Sequence, residues 1–402
     1  MKKLFFSLAG CFLLFATFAQ EQTAPAIEIY GQIMTDVGYD FNQMNPKYFD
    51  VMRPTQLPAY KNEYGTDGNI FFGVRQSMLG FKTYLPTRHG ELKTKFAFDL
   101  FGVGPNAGLT TFHLLYAYVE WWKFGVGYTW SQFCDFDDFP NIVEYWGPVG
   151  MSLCKNVIVC FIPFQGANRL SVALERPGAS ADEGVYRDRI ELKDVAPKFS
   201  WPDLSAEFRM TRKWGYVELA GILRKIAWED QGQEPYDLSG SAIGWGFNLS
   251  SKLLFGKNDI FKGQVITGQA IQNLMNDAPT DIGIQNDFSN PTAPVKGVPL
   301  ALFSFSSYLD HRWSNLFSSS LGYSAIFTEN SDGQANDAFR QGHYASINLL
   351  YYPIANLMAG IELQWIHRKN YNDGWESSAT KVQFSFRYSF SKMISKEKKG
   401  TD

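Results

Sequence analysis

Between Lys381 and Phe390 the chain alternates without a break. Val382, Phe384, Phe386, Tyr388 and Phe390 fall on one face, and Lys381, Gln383, Ser385, Arg387 and Ser389 on the other. A repeat of two sustained over this length predicts a strand rather than a helix. The same division recurs along the chain. Leu92, Phe96, Phe98 and Leu100 oppose Glu91, Lys93, Lys95 and Asp99; Leu204, Phe208 and Met210 oppose Ser205, Glu207, Arg209 and Thr211; Trp245, Phe247, Leu249 and Leu253 oppose Gly246, Asn248, Ser250 and Lys252. Roughly 16 such segments are predicted, at about 26–41, 70–84, 91–101, 110–122, 124–132, 153–161, 167–175, 203–211, 214–227, 240–254, 261–273, 298–309, 316–328, 342–353, 356–368 and 379–390.

The connections alternate as well. Long polar stretches, such as 42–69, 133–152, 176–202 and 273–297, follow the odd-numbered segments, and tight links such as 86–90, 212–213 and 353–355 follow the even-numbered ones. Long loops at one end and short turns at the other, with one apolar and one charged face, predict an all-β fold: a single transmembrane antiparallel β-barrel of about 16 strands. A soluble sandwich would show the same alternation, but it would have to bury some sixteen such faces around one core. No apolar run outside the first 19 residues approaches the roughly 20 needed for a spanning helix. An even strand count places both termini at the short-turn, periplasmic end.

Residues 1–19 read as a secretory signal peptide: Lys2 and Lys3, an apolar stretch from Leu4 to Phe18, and a small-residue cleavage site at Ala19. Leu8 to Cys11 resembles a lipoprotein acylation box, but the apolar stretch runs on past Cys11. The expected division is therefore a signal peptide over 1–19, the barrel over 20–390 and a polar C-terminal tail over 391–402. Of 402 residues, 16% are aromatic, and Trp121, Trp122, Trp130, Trp313, Tyr351, Tyr352, Trp365, Tyr388 and Phe390 sit near predicted strand ends, as interfacial girdles require. Removing Lys2 and Lys3 leaves 35 basic against 40 acidic residues, a formal charge of −5, so there is no overall basic footprint for nucleic acid. Cys134, Cys154 and Cys160 are too few for a disulfide framework. Cys154 and Cys160 stand about 20 Å apart along one strand at ~3.3 Å per residue. Cys134 and Cys154 flank one long loop, and a disulfide tying its two ends is expected.

Several segments resemble the DcaP-like outer-membrane porins, trimeric barrels that pass small anionic solutes. They are Ser77 to Thr83, Phe98 to Gly102, Ala117-Tyr118, Tyr128 to Phe133, Phe139-Pro140-Asn141, Glu144 to Met151 and Ile347 to Leu349, together with the final strand, and they span nearly the whole mature chain. The resemblance implies a homotrimer in the outer membrane of a Gram-negative bacterium, surrounded by lipid and open to small-molecule solutes, and the aromatic-ended last strand up to Phe390 resembles the signal that the barrel-assembly machinery reads. It also implies that the long loop after the fifth strand folds inward as a constriction. Departures bear on charge: in the family pattern lumen-facing arginines stand where this chain has Met78, His113, Leu115, Cys154 and Cys160.

On that basis Cys134 to Met151 is the candidate constriction loop. Asp135, Asp137, Asp138 and Glu144 are expected to face basic wall residues across the channel, with Tyr145 and Trp146 anchoring the loop. Opposed charges at a constriction select solutes by charge and dipole. Lys82, Lys93, Lys95, Arg169, Arg209, Arg224, Lys252 and Arg387 are the expected lumen-wall cations. The three aspartates invite comparison with calcium loops, but the turn glycine and the spaced bidentate glutamate are missing, so no metal is predicted. The five histidines are scattered without metal-ligand spacing, and no nucleophile motif occurs, so neither cofactor nor enzymatic activity is expected. Passive diffusion of small hydrophilic solutes, favouring organic anions by resemblance, is the leading reading. The alternatives are a transporter for hydrophobic compounds and a surface-binding barrel.

Overall fold

Alternation of β-branched and aromatic residues with polar ones suits a sheet whose two faces meet different solvents, and the chain uses it throughout. A computed structural model describes residues 24–178, 189–198, 200–233 and 235–395. The proposed signal peptide, 1–19, lies outside the described residues.

The strands are β1 (Ala26–Asp40), β2 (Asn69–Gly73 and Met78–Thr87), β3 (Gly90–Phe101), β4 (Thr110–Trp121), β5 (Phe124–Trp130), β6 (Lys155–Phe164), β7 (Asn168–Glu175) and β8 (Val195–Lys198 and Asp203–Arg212). They continue through β9 (Gly215–Asp230), β10 (Gly240–Phe255), β11 (Asp259–Gln269), β12 (Ala301–Arg312), β13 (Phe317–Thr328), β14 (Phe339–Tyr351), β15 (Leu357–Asn370) and β16 (Glu376–Ser395). Counted piecewise the sheet has eighteen segments; both pieces of β2 pair with β1, and the two pieces of β8 both pair with β9, so the barrel has sixteen strands. It closes where β1 meets β16 over Ala26↔Ser395 to Asp40↔Lys381. All of these pairings are antiparallel, and closure removes the two free edges an open sheet would expose.

The face division is as the alternation predicts. Phe384 and Phe386 are 53% and 52% exposed on the outside, whereas Lys381 between β1 and β15 is fully buried inside. Tight turns join the strands at the end that holds Ala26 and Ser395. At one of them Gly215 takes φ +122°, and a Cβ there would come within 1.9 Å of the Lys252 carbonyl oxygen. The other end carries long loops, of which 41–68, 131–154 and 270–300 turn into the barrel.

Those three loops fill much of the lumen. Met44, Met52 and Leu57 from the first, Phe133, Ile142 and Val149 from the second, and Ile271, Leu274 and Met275 from the third pack into one buried cluster. Cys134 and Cys154 of the second loop belong to it as well, and its wall members, among them Ile222, Ile266, Tyr308, Ile326, Tyr344 and Ile366, come from β9 to β16. The interior is thus packed with side chains against one half of the wall.

Four expectations are corrected. The last strand does not stop at Phe390: residues 391–395 continue β16 and pair with Ala26 to Tyr30, because β1 extends equally far. The tail proper, 396–402, lies outside the described residues. Part of 176–202 is strand, since Val195–Lys198 pairs with β9. The stretch 273–297 was expected as loop, but Ile282–Asn286 and Val295–Pro299 form a hairpin within it. Finally, Trp130 and Tyr352 are not girdle residues: Trp130 Nε1 donates to Tyr116 Oη at 2.7 Å, and Tyr352 Oη accepts from Asn141 Nδ2 at 3.3 Å inside the barrel.

Candidate functional site: the inward loop and the channel beside it

Loop 131–154 leaves β5 and crosses the lumen to β8–β13. Its acidic residues explain how it is held. Asp135 accepts from Arg209 Nη2 at 2.8 Å, Tyr216 Oη at 2.8 Å and Ser250 Oγ at 2.6 Å, and Gln264 Nε2 bonds its backbone carbonyl at 2.9 Å. Gln264 also reaches Asp138 Oδ1 at 2.8 Å. Asp137 pairs with the same Arg209, which also bonds Glu218 at 2.5 Å. One guanidinium therefore joins two loop aspartates to the wall. Burial and the neighbouring Asp135 charge push the Asp138 carboxyl well above its ordinary range.

Glu144 anchors the far side. It accepts the backbone N–H of Met52 at 2.9 Å and that of Gly147, with Lys381 Nζ 3.8 Å away. Burial lifts its pKa to about 7, against the opposing pull of Lys381 and the two N–H donors. Tyr145 stacks on Phe101 with ring centroids 3.6 Å apart and donates to Asp99 Oδ2 at 2.7 Å. Trp146 donates to the Asn276 carbonyl at 2.6 Å, and the Arg53 guanidinium lies 4.2 Å over its ring. At the loop tip Lys262 Nζ holds the Phe139 carbonyl at 2.7 Å, and Asn348 Nδ2 holds that of Asn141 at 2.8 Å.

This geometry corrects the expectation that the loop's acids face basic residues across the channel. Asp135, Asp138 and Glu144 are buried and spent on fixing the loop. A carboxylate taken out of water needs such partners, and the wall of β8–β11 supplies them. Asp137 alone of the four is largely exposed.

The disulfide is corrected too. Cys134, Cys154 and Cys160 are free and buried thiols. Cys134 Sγ lies 2.9 Å from Ser152 Oγ and accepts the Cys154 N–H at 3.2 Å, while Cys154 Sγ turns to the Lys155 carbonyl at 3.6 Å. The loop ends do meet, but through hydrogen bonds.

What remains open lies between the loop and β1–β6. A cavity of about 520 Å³ is bounded by Phe136, Phe139, Tyr145 and Trp146 of the loop and by Tyr30, Tyr116 and Trp130 of the wall. Lys95, Lys155 and Arg387 line it, as do Met78, His113, Leu115 and Cys154. Lys95 lies 3.2 Å from the centroid of the Tyr116 ring, and Lys155 lies 4.4 Å over Trp130. Neither Lys95 nor Arg387 has a carboxylate within ion-pair distance among the described residues. A second cavity of about 790 Å³ opens toward the short-turn end, and the two share Phe139, Pro140 and Asn141 of the loop tip.

The other wall cations divide by partner. Lys82 pairs with Glu28 at 2.9 Å, Lys93 with Glu91 at 3.9 Å and Arg169 with Glu207 at 3.1 Å. Arg224 is buried away from the channel, 3.1 Å from Asp203 and bonded to Asn273. Lys252 stands in register with Lys262 near the short-turn end. Sequence reasoning missed Lys262 and Lys155. Lys262 occupies an inward position of β11 by the same two-residue period, a signal that was available; Lys155 at the start of β6 shares the parity of the exposed Val157, Val159 and Phe161, so the period points it away from the cavity that it lines.

A closed sixteen-strand antiparallel barrel, apolar outside and polar inside, narrowed by a loop folded into its lumen, is an outer-membrane porin. The chain belongs to the DcaP outer membrane protein family, which it matches over residues 17–390, and it resides in the Gram-negative outer membrane. Among solved structures, the outer membrane channel DcaP of Acinetobacter baumannii superposes with a TM-score of 0.75 at 15% identity, covering 94% of this chain and 100% of that one. An anion-selective porin from Comamonas acidovorans gives 0.59 at 11% identity over 91% and 100%. The trimer form of OmpT from Vibrio cholerae gives 0.55 at 11% identity over 92% and 100%. At these identities the likeness is one of fold. No curated protein sequence matches the chain.

Proposed function

We propose that this porin is a homotrimeric, passive channel favouring small organic anions, and that it performs no chemistry on them. The observation that carries the reading is the charge balance of the 520 Å³ cavity. Lys95 and Arg387 face it without carboxylate partners among the described residues, and Lys155 lines it too, while the buried acids of the loop are committed to Arg209, Gln264 and backbone donors. A cationic surface next to low-dielectric aromatic walls concentrates anions and repels cations. Asp99, the wall carboxylate in the cavity, is taken up by His113 at 3.0 Å and by Tyr145. The exposed Asp137 remains as the local counterweight.

The arginines of the family pattern are absent at Met78, His113, Leu115 and Cys154, all of which line the cavity. Selectivity should therefore rest on fewer cations and be moderate. The anion-selective porin and the trimer form among the similar structures support the charge preference and the assembly. The barrel-assembly machinery and a cleaved signal peptide complete the reading. Swelling of liposomes containing the purified protein tests it: entry of a small carboxylate such as acetate or succinate should outpace that of an organic cation of equal size. Equal or reversed rates would refute the anion preference.

A further inference from the structure

Strand β4 changes face part-way along. Tyr116 and Tyr118 point into the barrel, where Tyr116 lines the cavity and Tyr118 meets the buried Cys160, while Val119 and Trp121 are exposed on the outside. By that parity His113 would face lipid. On the neighbouring β3, however, Ala97 pairs with Tyr116 and Phe98 with Leu114, so Leu115 is an extra residue and forms a bulge. Bulges re-aim the side chains beyond them. Here Phe112 turns outward and His113 turns into the 520 Å³ cavity.

Inside the cavity the ring is held through one nitrogen. His113 stands in register with Asp99, and its Nδ1 lies 3.0 Å from Asp99 Oδ1. That oxygen also accepts the Phe101 N–H at 2.9 Å, and Asp99 Oδ2 accepts from Tyr145 Oη at 2.7 Å. An ionised carboxylate only accepts, so the imidazole donates from Nδ1. The basic atom is then Nε2, which has no partner among the described residues and is where a proton is gained or lost. Tyr145 of the loop, with Oη 3.4 Å from Nδ1, is the other group against the ring. Lys95, Lys155, Arg387, Cys154 and the buried Glu144 line the same cavity from β3, β6, β16 and the loop.

The charge of the pair depends on that proton. With Nε2 protonated, His113 and Asp99 carry no net charge; with Nε2 bare they carry −1, set against Lys95, Lys155 and Arg387. Imidazole is the side chain that ordinarily changes charge between about pH 5 and pH 8. We infer, on the anion preference proposed above, that His113 is a specificity-determining residue whose Nε2 proton adds a cation to the anion path, so that acidification strengthens the preference for anions.

Reversal potentials of the full-length protein in planar bilayers under a KCl gradient, at pH 5 and at pH 7, test it. The anion-to-cation permeability ratio of the wild type should fall about twofold to fivefold on going to pH 7, the worth of one charge in a wet channel. His113→Gln should give one ratio at both pH values, and His113→Arg should hold the high, acidic ratio at both. If His113→Gln does not insert, His113→Asn makes the same comparison. Two other groups would move the ratio in the same direction: Glu144 in this cavity, lifted to about 7 by burial, and His311 in the second, 2.6 Å from Asp259. Glu144→Gln and His311→Gln should therefore keep the shift. A wild type indifferent to pH, a shift that survives in His113→Gln, or one that disappears in Glu144→Gln or His311→Gln would overturn the inference. The sign of the potential at a single pH reports on the solute reading, so cation preference with an intact His113-dependent shift would overturn that reading alone.

Discussion

Arg209 of β8 reaches Asp135 of the inward loop at 2.8 Å while also holding Asp137 and Glu218. Arg209 supplies the charge among the wall residues that fix the start of the loop, with Tyr216, Ser250 and Gln264 adding neutral hydrogen bonds, and the loop's acidity serves position before permeation. Replacing Arg209→Met leaves buried Asp135 and Glu218 without their counter-charge. Loss of one partner of a buried pair costs on the order of 3 kcal/mol, so the loop should undock locally while the barrel persists. Single-channel recordings should show a larger, noisier conductance than wild type; an unchanged quiet level would place the anchor elsewhere.

At Glu144 the sign of the pH dependence is opposite to that of an ordinary surface ion pair. Its ordinary value is 4.5, and burial raises it to about 7 when the loop is docked. The docked loop therefore binds the proton more tightly than the undocked one, and docking is favoured below about 4.5 and weakened as pH rises through 7. The full span is about 3 kcal/mol at ~1.4 kcal/mol per unit. Protection factors of 131–154 in hydrogen exchange, from which the base-catalysed rise of the intrinsic rate is divided out, should fall from pH 5 to pH 8, and Glu144→Gln should flatten that dependence. Protection that is unchanged or higher at pH 8 would contradict it.

Gly150 sits where the loop touches the wall most closely. A Cβ there would lie 2.0 Å from the Phe305 carbonyl oxygen and 2.8 Å from that of Ala325. Backbone cannot yield as a side-chain tip does, so Gly150→Ala should cost roughly 1–3 kcal/mol through overpacking. A lower thermal midpoint of loop docking and reduced trimer yield are expected; wild-type behaviour would mean that the approach is looser than this.

The three thiols give a chemical check. Burial pushes Cys134 up to about 12 and raises Cys154 as well, so neither forms a thiolate near neutrality. An alkylating reagent should leave both unmodified in the folded protein and modify Cys134, Cys154 and Cys160 after unfolding without reductant. A protein that remains two thiols short would restore the disulfide.

Much of this architecture was legible because the signal is repetitive. Sixteen segments with period two, and loops alternating long and short, specify a barrel even where single boundaries are off by several residues. The inward parity of Lys95, Arg209 and Arg387 could be read in the same way. Partnership could not. Lys95 and Arg224 both follow inward parity, yet one faces the cavity and the other is sealed under Asn273 and Asp203, because loop 270–300 covers β9 but not β3. Which half of the lumen the loops fill depends on tertiary packing of Met52, Phe133 and Leu274, and no local period encodes it. The extension of β16 to Ser395 escaped because Lys392 and Met393 interrupt the alternation; its strand state comes from pairing with β1.

Lys95 and Arg387 are the cations on which the selectivity account depends. Neutralising both, as Lys95→Gln with Arg387→Gln, should reduce the anion-to-cation permeability ratio by about threefold to tenfold, corresponding to a loss of roughly 1 kcal/mol of attraction in a wet channel. The same change at Lys93, which is paired with Glu91 and half exposed, should have little effect.

The reversal potential of the wild-type protein in a planar bilayer under a tenfold KCl gradient reads the charge preference of the channel itself. A reversal potential displaced toward the chloride equilibrium value, and collapsing toward zero in the double variant, is the expected result. Displacement toward the potassium value in the wild type would show that Asp137 and Asp99, rather than Lys95, Lys155 and Arg387, govern the channel.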